Sequence, residues 1–170
     1  MISNAYIGKN QYVSNVSEIA DEFMRIAKEE EKAADLLYQN RLFNQAVYFY
    51  IQSMEKFIKS YICRRVDVSN SYFAEQLRSL GHSLDASADF FVKIMAGNDE
   101  NLHNQLNHQI KESIFENIRF SSIYNAVRYP YYNSKYHSYC LRKTDFNDCE
   151  RIRKMYRKLK DYIEKLYIAF

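Results

Sequence analysis

Three features of the sequence predict an all-α fold. Three glycines and one proline in 170 residues leave too little turn chemistry for a protein built of hairpins and short strands. Apolar residues recur at helical intervals over most of the chain. The clearest stretch, Arg41 to Arg65, puts Val47, Ile51, Met54, Ile58 and Ile62 on one face, widened by Tyr50, Phe57 and Tyr61. Together they predict a single antiparallel bundle of about five to six helices over residues 17–170, preceded by an irregular polar arm over residues 1–16.

In the central stretch Gln52, Glu55, Lys56 and Lys59 lie off the apolar stripe, with Glu55 one turn before Lys59. That side is predicted to face solvent or a second interface. Upstream, Ser17 is a good N-cap for a helix carrying Ile19, Phe23, Ile26, Ala33, Leu36 and Leu37, bent near Glu29–Glu31. The link QNRL is short enough to make the pair an antiparallel hairpin.

Downstream, Ser69 and Asn70 predict a loop, followed by a short helix from Tyr72 to Leu80 that stops at Gly81. Ser83 caps a helix with Leu84, Ala88, Phe91, Val92 and Met95 inward and Gly97 at its end. Asn98 or Asp99 opens the next, which carries Leu102, Leu106, Ile110, Ile114, Phe115 and Ile118; SSIYNAV extends it to Arg128, where Pro130 ends it. YPYYNSKYHSYCLRK reads as a loop. Thr144 or Asp145 caps the last helix, with Ile152, Met155, Leu159, Ile163 and Leu166 on one side.

No apolar run reaches membrane-spanning length and no charged-then-apolar leader follows Met1, so a soluble, cytoplasmic protein without a membrane partner is expected. Cys63, Cys140 and Cys149 are odd in number and lack CxxC spacing, which fits reduced thiols better than a disulfide framework or a zinc knuckle. The net charge of +3 is too small to imply nucleic acid, but it is unevenly placed. Between Glu116 and Asp145 there is no acidic residue, while Arg119, Arg128, Lys135, Arg142 and Lys143 all fall there. The first forty residues instead hold Glu18, Asp21, Glu22, Glu29, Glu30, Glu31 and Asp35.

Tyr124, Tyr129, Tyr131, Tyr132, Tyr136 and Tyr139 alternate with those cations. Arginine and lysine neutralise phosphate and tyrosine faces stack on bases, so the pattern suits a nucleotide or single-stranded nucleic acid; a Tyr-rich packed loop has the same composition. The ligand residues on the first reading are Arg128, Tyr129, Tyr132, Lys135, Arg142 and Lys143. Arg128, just before a proline-terminated helix end, has the donor fork to take phosphate, or equally to tie down its own loop.

Catalysis has thin support, with Arg128 and His137 the only candidates. His82 reads as a structural hydrogen-bonder, and His103 and His108 fall about 140° apart on a helix, against shared metal ligation. The pairs Glu18/Glu22 and Glu31/Asp35 could hold Mg²⁺ beside a triphosphate, as in all-α nucleotide pyrophosphohydrolases. Lys28 and Lys32 interleave with them, so a solvated face is the preferred reading and no cofactor is expected. In the last helix Arg151, Arg153, Lys154, Arg157, Lys158, Lys160 and Lys165 either extend the basic surface or form an ordinary outer face.

The stretch LLYQNRLFNQAVYFYIQSMEKFIKSYI resembles the helical hairpin of HEPN domains, with Ala46, Glu55, Lys56 and Lys59 at that family's small, acidic and basic positions. LRSLGHSLDASADFF resembles the start of its third helix, and IYNAVRYPYY its Arg-Tyr-Pro signature; the likeness covers roughly residues 20–168. Ribonuclease members carry an arginine followed about one to two helical turns later by a histidine. Here Arg128 is followed by Pro130 and by no histidine before His137, so the sequence is more similar to the Arg-Tyr-Pro branch. The resemblance implies a nucleotide- or RNA-binding helical module, non-catalytic or a degenerate ribonuclease. It also implies a homodimer, or a toxin–antitoxin-like partnership with a nucleotidyltransferase.

Overall fold

The computed structural model describes Gly8 and residues 17–169. The arm expected over residues 1–16 therefore lies, Gly8 apart, outside the described residues. The first two helices, α1 (Ser17–Gln39) and α2 (Phe43–Arg65), form the hairpin. Their partners run in opposite order, Tyr50 with Asp35, Lys56 with Glu30 and Arg64 with Asp21, which makes the pair antiparallel. Ala20, Ala27 and Ala34, seven residues apart and buried, form the seam of α1; small side chains at this heptad spacing let two backbones approach closely. The Ser53 hydroxyl uses that closeness to donate to the Ala27 carbonyl at 2.6 Å.

Sequence periodicity therefore found α1 but misassigned part of its stripe. Leu36, expected inward, is 52% exposed, and the alanines take the buried positions. At the turn Arg41 adopts a left-handed backbone (φ 59). The Leu42 amide bonds to the Leu37 carbonyl and the Arg41 amide to that of Tyr38, the paired bonds of a Schellman motif.

Next come α3 (Ser71–Ser79), α4 (Leu84–Ala96) and α5 (Glu100–Asn107), each started by the oxygen of its own cap, Asn70, Ser83 or Asp99. A π-helical segment, His108–Ile114, continues α5. Leu106, Ile110 and Ile114 are all buried at four-residue intervals, which would drift about 40° per step around an α-helix; the wider π turn keeps them on one face.

The expected long extension to Arg128 is instead a separate four-residue helix, α6 (Ser121–Tyr124). Left-handed Glu116 and Asn117 break the chain before it, and the Asp85 carboxylate of α4 caps it, accepting from the amides of Phe120 (3.1 Å) and Ser121 (2.8 Å). Last is α7 (Phe146–Ala169), opened by a reciprocal cap in which Asp145 and Asp148 each accept the other's amide. Met155, Tyr156, Leu159 and Ile163 of α7 pack into the core against α2, with the Tyr156 and Phe57 rings 6.1 Å apart.

Residues 129–143, expected as an irregular loop, contain a β-hairpin. Strands β1 (Tyr131–Asn133) and β2 (Ser138–Cys140) pair antiparallel, Tyr131 with Cys140 and Tyr132 with Tyr139. Both faces are largely exposed, so no apolar alternation betrayed the strands; tyrosine's strand preference was the available signal.

The outer face of α2 is the largest correction. Gln52, Glu55 and Lys59 are buried, not solvated. Lys59 pairs with Glu55 and donates to the Gly81 carbonyl at 2.6 Å; Lys56 bridges Glu55 (3.3 Å), Glu30 of α1 (3.1 Å) and Gln52 (3.1 Å). This face is covered by α1 and by the loop between α3 and α4. No helix among the described residues is long and apolar enough to cross a membrane.

Candidate functional site

The tight turn after α6 aims Arg128. The amides of Arg128 and Tyr129 both donate to the Asn125 carbonyl, at 3.1 and 2.9 Å. The guanidinium then lies among three rings, 4.6 Å from the centroid of Tyr48, 4.8 Å from Tyr129 and 5.4 Å from Tyr124. It donates to the Tyr129 hydroxyl at 2.8 Å and the Tyr124 hydroxyl at 3.3 Å. Burial, and a hydrogen bond to Tyr48, push the Tyr124 phenol up to about 12, so it is a neutral partner. Ring quadrupoles attract a cation without cancelling its charge, so Arg128 is held in place and still carries a full positive charge at the surface.

Among the described residues no carboxylate pairs with Arg128, nor with Arg119, Lys135, Arg142 or Lys143. Four of the seven basic residues of α7 differ. Arg151 pairs with Glu116 (2.6 Å), Arg153 with Asp35 (3.2 Å), Lys160 with Glu31 (2.5 Å) and Lys165 with Asp161 (2.7 Å). Among the described residues Lys154, Arg157 and Lys158 of α7 also lack a carboxylate partner; what sets the stretch from Arg119 to Lys143 apart is that it holds five such cations and no acid.

A cleft of about 360 Å³ has Tyr129, the partner of Arg128, in its wall, and is lined besides by Ser122, Asn125, Ala126, Tyr131 and Arg142. Asn44, in the first turn of α2, sets the relation between its walls. Its amide donates to the carbonyls of Arg142 (2.8 Å) and Val127 (3.2 Å), while its oxygen accepts from the Thr144 amide (2.7 Å) and hydroxyl (2.8 Å). One side chain therefore ties the backbone next to Arg128 to the backbone of Arg142.

Of the residues predicted from sequence, Tyr129 joins two others, accepting a hydrogen bond from Arg128 and lining the cleft with Arg142. The other predicted residues sit around them. Tyr132 packs on Tyr139 (5.6 Å), on the opposite hairpin face from Tyr131 because successive strand side chains alternate. Lys135 lies over Tyr136 (5.4 Å) near the tip, where His137 takes a left-handed backbone (φ 47). Lys143 lines a separate cleft of about 290 Å³ with Arg142 and Arg151. Asn44 and Tyr48 were not foreseen because their partners lie far along the chain; Asn125, whose partners Arg128 and Tyr129 are local, carried no signal beyond an ordinary turn residue.

Among the described residues neither predicted carboxylate pair of α1, Glu18/Glu22 or Glu31/Asp35, shares a partner. Glu22 bonds Arg25 (3.0 Å), Glu31 bonds Lys160, and Asp35 accepts from the Tyr50 hydroxyl (2.6 Å) and Arg153; Glu18 is exposed. His103 meets Asn107 and His108 meets Glu112, so the two histidines share no partner. Among the described residues no three His, Cys, Asp or Glu side chains converge as metal ligands would. No protein-family model matches the sequence, and no curated protein or solved structure matches it either.

Proposed function

We propose that the chain is a HEPN-like binding module that takes a nucleotide or RNA at the cleft between Arg128 and Arg142. The observation that carries this reading is the state of Arg128: a guanidinium fixed by three tyrosine rings, without a carboxylate partner among the described residues, and bonded to Tyr129, a wall residue of the cleft. A loop-anchoring arginine would spend its donors on backbone carbonyls; this one bonds two phenol hydroxyls. Arg128 and Arg142 supply charge for phosphate, and Tyr129 and Tyr131 supply stacking faces. Lys135, Lys143 and Tyr132 extend the same acid-free surface.

The module works as a homodimer or beside a nucleotidyltransferase partner. Exposed Leu36, Leu42 and Phe146 support pairing, because large apolar side chains left in water at the hairpin turn of α1–α2 and at the start of α7 favour burial against another chain. Titration of nucleoside mono-, di- and triphosphates and of short RNA, at low and at moderate salt, tests the binding. Saturable binding that weakens with salt and is lost in Arg142→Ala is expected; absence of binding by the parent chain at low salt ends the proposal.

A further inference from the structure

Two cavities have as wall residues the tyrosines that Arg128 bonds. One is the cleft of Tyr129, Tyr131 and Arg142; the other, about 250 Å³, opens between α2, the start of α4 and α6. The second has an apolar floor of Ile51, Leu84 and Phe120 and a polar rim of His82, Ser121 and Tyr124. Asn125 belongs to the walls of both. Tyr124 lines the second cavity and Tyr129 the first, and the Arg128 guanidinium donates to both hydroxyls, so the cation links one wall residue of each.

Each cavity lies near the lower end of the size range of ligand sites, room for one heterocycle and not for a chain of them. Apolar walls with a few polar groups at the edge match a nucleobase, whose faces are apolar and whose edges hydrogen-bond. Two bases joined through one phosphodiester carry a single negative charge between them, where Arg128 presents its fork. From this juxtaposition we infer that the ligand is a single-stranded nucleic acid segment of at least two nucleotides, one base in each cavity and the linking phosphate on Arg128. The inference rests on the reading of the Arg128 cleft as a nucleotide site, and adds a second base subsite to it.

The test is an equilibrium titration of the full chain, at one low salt concentration, with four ligands. These are a nucleoside monophosphate, a dinucleoside monophosphate, a pyrophosphate-linked dinucleotide and an RNA octamer. The dinucleoside monophosphate should bind about tenfold or more tighter than the mononucleotide, the scale of one added stacked base, and nearly as tightly as the octamer. Ser121→Trp, on the exposed rim of the second cavity, should reduce the dinucleoside monophosphate to mononucleotide affinity and leave the mononucleotide unchanged. His82→Trp on the opposite rim gives the same reading should Ser121→Trp fail to fold. Equal binding of mononucleotide and dinucleoside monophosphate, unaffected by either variant, overturns the second subsite while leaving the Arg128 cleft standing. Preference for the pyrophosphate-linked ligand overturns the single-strand assignment in favour of a free dinucleotide. No binding by any of the four overturns both readings.

Discussion

The ammonium of Lys59 donates a 2.6 Å hydrogen bond to the carbonyl oxygen of Gly81, fastening the α3–α4 loop to the middle of α2. Glu55, 1% exposed, pairs with the same ammonium and with Lys56. Removing Lys59 leaves buried Glu55 with only the longer Lys56 contact, 3.3 Å, and leaves the Gly81 carbonyl without its donor. Lys59→Ala is therefore expected to cost about 3–5 kcal/mol in urea unfolding, with Lys59→Met/Glu55→Leu recovering much of it. A loss within the few tenths typical of surface changes would show that the pair does not hold the loop.

Glu30 tests the same layer through pH. Burial raises its carboxyl above the ordinary 4.5, and Lys56 at 3.1 Å offsets this only in part; its second oxygen has no partner. With the folded-state pKa above the unfolded one, the native state holds the proton more tightly. That stabilisation is full below the ordinary value and is lost as pH rises through the folded value. Glu30→Gln cannot lose it, so the variant should gain stability relative to the parent as pH rises from 4.5 and then level off. Chemical unfolding at several pH values reads this directly, and a relative stability that falls over the same window refutes it.

The three thiols should separate cleanly. Burial pushes the Cys63 thiol up to about 11 and the Cys149 thiol up to about 12, which removes their thiolate at neutral pH. Cys140 is half-buried on the hairpin, opposite Tyr131. Native labelling with a maleimide is expected to modify Cys140 fast and the other two only on unfolding, followed by mass spectrometry. Bound ligand should slow the Cys140 reaction, since its strand partner lines the cleft; fast native labelling of Cys149 contradicts the α2–α7 packing.

The bundle was legible because caps and apolar spacing are local. Ser83 and Gly97 bracket α4 as read, and every residue expected inward on α4 is buried. What escaped reading depends on contacts across the chain. The charged face of α2 carries a solvated helix's composition, and only the arrival of Glu30 and Gly81 against it makes it interior. Asn44 is an ordinary helix-start residue until the fold brings Val127 and Arg142, 83 and 98 positions further along the chain, to its amide. The acid-free, tyrosine-rich stretch pointed to Arg128 and Arg142 because exclusion of acids is a compositional fact. Which tyrosines join them is decided by the pleat of the hairpin, and a one-residue shift in strand register would exchange Tyr131 for Tyr132.

Arg128 separates a ligand contact from a mere surface ornament. Its cation–π contacts are made by an exposed side chain, a setting in which each is worth about 0.5–1 kcal/mol, so Arg128→Ala should lower the melting temperature only modestly. Loss of a hydrogen bond to a charged phosphate is larger, about 1.5–3 kcal/mol, which predicts a fall in nucleotide or RNA affinity of roughly one to two orders of magnitude. Arg128→Lys should restore part of it, because a point charge keeps the attraction but cannot bond the Tyr129 hydroxyl and a phosphate at once in the planar geometry of a guanidinium. The dependence of affinity on salt should also become shallower by about one counterion in Arg128→Ala and recover in Arg128→Lys. Calorimetric titration of the three proteins at several salt concentrations, beside their thermal melts, checks every part. Unchanged affinity and an unchanged salt slope in Arg128→Ala would assign the phosphate to Arg142 and leave Arg128 as a brace for Tyr124 and Tyr129.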